Sequence, residues 1–350
     1  METEPLDQAL ELFATTAPEF GAAGLSNHGP MAAEALVEMG HSDQIAAWTS
    51  AYAQQLDPAP APADRAVGEH DWPKALGVTE RFGEWLSFFE RELADRPPSA
   101  VVGEWVPRLV PGCVAAATHG LIRTAHALRA LGRANTPARR VEVAIAMAYW
   151  ASRYRELPGP PLLIGHQEVD EALADLPYLP EETPDAHLIS DRLEHMSDIA
   201  DEFEQGVASL APRADPLTLL DRLAVGGAKA YLRNADEGNV VALVHAITAP
   251  LSLELVLPWL GQEDWDAAVA YAWQAVAALH VAYAIDRHCA IDEKQPLVLE
   301  GELAARAAAS GDGHAIKVTE AALRCYARTE EPALVWAAAD ACDRLGATGR

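Results

Sequence analysis

The 350-residue chain is poor in basic side chains: Lys and Arg number 26 against 52 Asp and Glu, a formal net charge of -26. Such a balance repels phosphate backbones and anionic lipid, so neither nucleic acid nor a membrane surface is an expected partner. It would not steer an anionic substrate either, which leaves a neutral or weakly charged ligand reached by an apolar route. Cysteine is scarce. Cys113, Cys289, Cys325 and Cys342 include no close pair, which excludes a paired-cysteine metal pattern and points to buried thiols in a reducing cytosol rather than a disulfide framework. The N-terminal METEPLDQALELF lacks the basic and apolar regions of a signal peptide. No run approaches about 20 uncharged apolar residues, so no membrane span is expected. The expectation is a soluble cytoplasmic protein, with a homodimer as the default assembly.

The usual cofactor and catalytic signatures are missing too. There is no His-Glu-x-x-His, no glycine-rich nucleotide loop and no serine elbow, and Gly226-Gly227 precedes AKAYLR without phosphate-loop spacing. Alternating β-branched runs are few.

What is present is alanine and helix-period patterning, with half of the residues apolar. The chain therefore reads as all-α, a single large irregular multi-helix domain over 1–350. Pro30 and Gly40 bracket one helix, and another spans Glu84 to Leu93. A helix should run from just after Pro111-Gly112 to Leu131. Thr136-Pro137 and Asp215-Pro216 read as caps with proline at the first position. Further helices are expected near 185–209, 264–285, 299–309, 312–328 and 331–344. Pro250 should kink or break the helix that starts near Asn239. The stretch 56–73 is a Pro/Ala-rich loop or arm, and 157–183 is irregular and the most linker-like segment.

Histidines are the remaining chemical inventory. In ATHGLIRTAHALRAL, His119, Arg123 and His126 share one helical stripe, but residues seven apart on an unbroken helix are separated by about 10 Å of rise. On spacing alone, a pair of hydrogen-bonded core histidines is the simpler reading. His28, before a helix start in SNHGPM, reads equally as a surface residue or as a side chain held by specific backbone. His245 in VALVHAITAPLSL is expensive to bury unless its ring nitrogens have partners. His314 and Lys317, three apart in GHAIKVTEAALR, share a face, and a lysine whose stem covers apolar surface while its amine reaches water is the ordinary case. His280 sits in another apolar run beside Tyr283. His41, His70, His166, His187 and His195 read as surface. Dispersed imidazoles of this kind suit iron, zinc or copper.

Taken together, NHGPM at 27–31, THGLIRTAHALRAL at 118–131, ALVHAITAP at 242–250 and GHAIKVTEAALR at 313–324 resemble the questin oxidase-like family, in order and over about residues 20–330. The resemblance implies oxidative opening of an anthraquinone-type aromatic polyketide ring. That activity is described both as Baeyer–Villiger-type oxygen insertion and as dioxygenase cleavage, with O2 as co-substrate. It also implies an internal non-haem Fe(II) site of four histidines and an N-carboxylated lysine. Residue by residue these match His28, His119, His126, His245 and Lys317, the last as a CO2-derived carbamate. Arg123, His280, Tyr283 and His314 are the accompanying catalytic or pocket candidates, and Arg123 reads equally as balancing an acidic group or as a helix-surface salt bridge. Tyr149 and Trp150 read first as core packing, with an aromatic pocket lining as the alternative. Whether NADPH reduces the substrate first is left open by the resemblance. Two other classes fit the same residues: a zinc hydrolase and a non-catalytic polyketide-binding protein.

Overall fold

The computed structural model describes residues 4–68, 70–179, 188–212, 215–288, 290–291 and 296–348; His187 and Cys289 lie outside them. Helix accounts for 71% of the described residues. Among the described residues, sheet is confined to a two-residue hairpin pairing Glu19 with Ser26 and Phe20 with Leu25. The fold is all-α. The chain gathers into two compact units, Met1–Glu156 with Leu255–Gln262, and Leu157–Glu254 with Glu263–Arg350. The boundary after Glu156 falls where the linker-like 157–183 stretch begins.

In the first unit the main helices are Pro5–Phe13, Gly29–Glu38, Phe82–Asp95, Pro98–Leu109, His119–Arg133 and Pro137–Ser152. Trp85, Phe88, Phe89 and Trp105 form an aromatic cluster, with ring centroids 4.9–5.9 Å apart and mostly edge-to-face. Trp105 comes from Pro98–Leu109, a helix absent from the sequence reading, which carries Pro107 in its interior. Pro98 at its start is compatible with a first turn. Thr136 caps the Pro137–Ser152 helix by accepting from the Arg139 N–H, as the Thr-Pro pair predicts. The 56–73 arm is tied down at its start: Ala17 donates to the Asp57 carbonyl, and Ala59 to that of Thr15.

In the second unit, helices Pro216–Asn234, Val240–Val256, Trp265–Tyr283, Gly313–Thr329 and Pro332–Thr348 carry most of the core. Asp215 and Asp312 cap their helices through side-chain carboxylates. Within the irregular 157–183 stretch, Val169–Asp175 forms a short helix behind a Glu168/Glu171 capping box. Cys113, Cys325 and Cys342 are free and buried.

The expected break at Pro250 does not occur. Helix Val240–Val256 runs through it, although Pro250 has no N–H to offer the Ala246 carbonyl. Gly227 takes up that position: a Cβ there would lie 2.5 Å from Ala246 O, so only glycine lets the neighbouring helix approach so closely. This helix, continued to Trp259, is long and apolar enough to cross a membrane by length and composition, contrary to the sequence expectation. Its most apolar window is 83% buried within the protein, as in a core helix.

Candidate functional site

His28 follows a residue whose side chain is held from several sides. Asn27 donates to Thr16 Oγ1 and the Ala17 carbonyl, and its Oδ1 accepts from the Gly29 N–H at 2.9 Å. The His28 N–H donates to the Tyr52 hydroxyl. Gly29 packs on Phe13, where a Cβ would fall 2.3 Å from the ring. The Asn-His-Gly-Pro order is thus a set of local demands: an amide to fix the turn, a residue without Cβ against an aromatic face, and a proline to start the helix. Just upstream, Ser26 hydrogen-bonds the Tyr149 hydroxyl, which donates to Glu19. Trp150 donates to the Gly112 carbonyl. Tyr149 therefore ties two side chains of the hairpin together, and Trp150 braces backbone.

His119 lies where the sequence predicted the middle of a helix that starts after Gly112. The α-helix instead begins at His119 itself, because Ala116, Ala117 and Thr118 have φ of 49°, 53° and 72°. Three successive non-glycine residues in the left-handed region each cost roughly 1–2 kcal/mol. That turn brings the Ala116 carbonyl to His119 Nδ1 at 2.7 Å. A neutral ring donating from Nδ1 keeps its lone pair on Nε2. This Nε2 lies 2.9 Å from His28 Nε2, with the rings stacked at 4.9 Å. Gly120 allows the turn to pack on Trp150, where a Cβ would come within 2.9 Å.

Further along the same helix, Arg123 and His126 each meet a buried carboxylate that the sequence reading did not single out. Arg123 donates from Nε and Nη2 to Glu142 at 2.7 and 2.9 Å, with both side chains buried. It balances an interior acid rather than forming a surface ion pair, and its Nη1 has no partner among the described residues. His126 Nδ1 is 2.7 Å from Glu34 Oε2, which also accepts from Arg129. Burial would raise the Glu34 carboxyl, but Arg129 and His126 together hold it below the usual carboxylate range. The signal was available in MAAEALV: one carboxylate inside an otherwise apolar helical run.

The second unit presents its groups from regular helices. His245 Nδ1 lies 2.6 Å from the Val241 carbonyl one turn earlier, again leaving Nε2 as the lone pair. Burial and the nearby Lys317 push its pKa down to about 3. The His314 ring packs edge-on against His245 at 5.4 Å, and burial drives its pKa well below the ordinary value. Lys317 does not reach water: it is 2% exposed, and burial, opposed by Asp312, lowers its pKa to about 7. His245, His314 and Lys317 therefore form one buried group in which desolvation works against the protonated nitrogens.

His280 and Tyr283 occupy other surroundings. His280 is buried, bonds the Leu173 backbone and lies near Arg287 and Arg233; burial first, then these cations, lower its pKa to about 3. The Arg192 guanidinium sits 5.4 Å from the Tyr283 ring centroid, and burial pushes the Tyr283 hydroxyl up to about 12.

A transition metal needs unprotonated donors whose orientation is fixed by partners on the far side of each ring. In the first unit His119 and His126 have Nδ1 held in that way, by Ala116 and Glu34. In the second, Val241 holds His245 Nδ1, and burial brings the Lys317 amine to a pKa of about 7. By donor chemistry each set fits nitrogen ligation of a transition metal.

No curated protein matches the sequence. A family model described as questin oxidase-like matches residues 25–322. The match spans His28 through Lys317, most of the chain and every one of these groups, and the protein belongs to the questin oxidase-like family.

Proposed function

We propose that this protein is a non-haem iron oxygenase that opens the ring of an anthraquinone-type aromatic polyketide by oxidative carbon–carbon cleavage. Membership in the family supports an oxygenase acting on polyketide metabolites. The observation carrying the finer reading is the chemistry of the donors: imidazoles held with Nδ1 engaged, and a buried lysine at a pKa of about 7. His28, His119, His126 and His245 would act as neutral nitrogen ligands. Lys317, unprotonated, can attack CO2 through its amine lone pair and release a proton, giving an anionic carbamate oxygen as a further ligand. Fe(II), when bound, supplies the one-electron chemistry that lets triplet oxygen react with an electron-rich aromatic ring. The protein's own contribution is orientation and exclusion of protons from the donors. At neutral pH, His245 and His314 stay unprotonated because burial disfavours the imidazolium.

The test is anaerobic purification, metal analysis and Fe(II) reconstitution, followed by oxygen uptake with anthraquinone and anthrahydroquinone substrates. The expected result is uptake that requires both Fe(II) and an aromatic substrate, lost in His119→Ala and in His245→Ala. Full turnover by metal-free protein would overturn the proposal. Hydrolysis by a colourless zinc form without oxygen uptake would do so as well.

A further inference from the structure

Glu34 is a costly residue in its setting. It lies at 2% exposure among buried alanines, Met31 and Leu36 in the helix Gly29–Glu38. It accepts from Arg129 Nε at 2.6 Å and Nη2 at 2.5 Å, and from His126 Nδ1 at 2.7 Å. Buried ion pairs seldom stabilise a fold better than apolar residues of the same size. As a stability device this pair is therefore a poor choice, and as an orienting device it is a good one. The bidentate guanidinium fixes both carboxylate oxygens in one plane. Oε2 is then aimed at a single ring nitrogen of a side chain that is itself 5% exposed. Arg129 also supplies the counter-charge, so the carboxylate can accept from a neutral ring.

The outer side of this pair opens on a cleft of about 330 Å³, whose lining includes Glu34, Glu38, Arg133 and Arg139. The other charges there are matched among themselves: Arg133 with Glu38, and Arg139 with Glu4 and Asp7.

We infer that Glu34, backed by Arg129, is a positioning residue that fixes His126 as its Nδ1–H tautomer and reserves the Nε2 lone pair for a metal; the metal clause rests on the function proposed above. Second-sphere carboxylates of this kind are worth about 10–100-fold in metal affinity. Glu34→Gln replaces the acceptor with an amide that can donate, but leaves a buried guanidinium without its counter-ion. The double variant Glu34→Met/Arg129→Met removes acceptor and counter-charge together and matches the apolar neighbours.

The experiment is nitrogen-15 NMR of the histidine rings in metal-free wild-type and variant proteins, with anaerobic Fe(II) titration of each. The wild type should show His126 as the Nδ1–H tautomer. The folded double variant should lose that preference, leave the His119 tautomer unchanged and bind Fe(II) about 10–100-fold more weakly. A double variant that keeps the Nδ1–H tautomer overturns the inference. So does one with unchanged Fe(II) affinity, where His126→Ala weakens binding. If wild-type protein binds no Fe(II), the functional proposal fails, and the ring spectra still decide whether Glu34 sets the tautomer.

Discussion

The first unit holds His28 and His119 beside irregular backbone and sets His126 against a carboxylate, whereas the second sets His245, His314 and Lys317 into regular helices among apolar side chains. The two arrangements present nitrogen donors by different means. In the first, direction comes from outside the ring: a left-handed turn offers the Ala116 carbonyl, and Glu34 offers a carboxylate. In the second, burial does most of the work, taking His245 to about 3 and Lys317 to about 7. Hydrogen bonds fix which nitrogen is available, and burial fixes whether it is protonated. The two devices should fail differently.

The sharpest separation is expected at Lys317. Lys317→Met should lower Fe(II) affinity by at least about 100-fold, comparable to the upper effect of losing a supporting ligand. With its pKa lowered from 10.5 to about 7, the wild type should also lose stability as pH falls from 10.5 toward 7, and the variant should lose less. Anaerobic titration and urea denaturation at pH 7 and pH 10 check the two halves. An identical pH slope would remove Lys317 as a source of it.

Next in size is Gly227→Ala. The new Cβ would meet Ala246 O at 2.5 Å, backbone that cannot swing away, so a loss of ~1–3 kcal/mol is expected. His245 neighbours Ala246, and its Nδ1 bond to Val241 should loosen in the same variant. Denaturation melts and the His245 ring shifts report this.

Acid should act on the second unit through His280. Its pKa falls from 6.5 to about 3, so the unfolded chain takes up a proton that the folded one refuses. Stability from this group is present above pH 6.5 and is lost as pH falls toward 3, at about 1.4 kcal/mol per pH unit. His280→Gln should make the stability profile less steep between those limits by about 1.4 kcal/mol per pH unit, leaving the slope due to His245 and His314. An identical slope would remove His280 as a source of acid lability.

The smallest effect should appear in the first unit's turn. Ala116→Gly or Ala117→Gly relieves a left-handed alanine and costs backbone entropy, for a net gain of ~0.5–1 kcal/mol. Stability should rise while Fe(II) affinity falls, because the carbonyl facing His119 is held less firmly. If both rise together, the turn's strain is unrelated to presenting the ring.

Local signals were legible from sequence wherever neighbours along the chain decide the outcome. Thr136-Pro137, Asp215-Pro216 and Asp312 start helices as their cap chemistry requires. Helical spacing and the lack of alternating runs led to an all-α reading, and four short strings led to the family. The seven-residue spacing of His119 and His126 left core packing ahead, because an unbroken helix sets them about 10 Å apart along its axis. That helix was also expected to be under way before His119. Its true start lies at His119, after a turn that alanine and threonine adopt only when the surrounding packing compensates the strain.

What the amino-acid order determined by itself is the set of groups available: imidazoles, one lysine in an apolar run, few cysteines, an excess of acid, and glycines where side chains would collide. Tertiary structure alone decided their state. Glu34 reaches His126 and Arg129 across more than ninety residues, and Glu142 meets Arg123 from another helix. Lys317 has the sequence context of an ordinary surface lysine and becomes a buried base only because packed helices exclude water from its amine. Hydrogen-bond direction and desolvation depend on what lies within a few ångströms in space, and chain order does not encode that at short range.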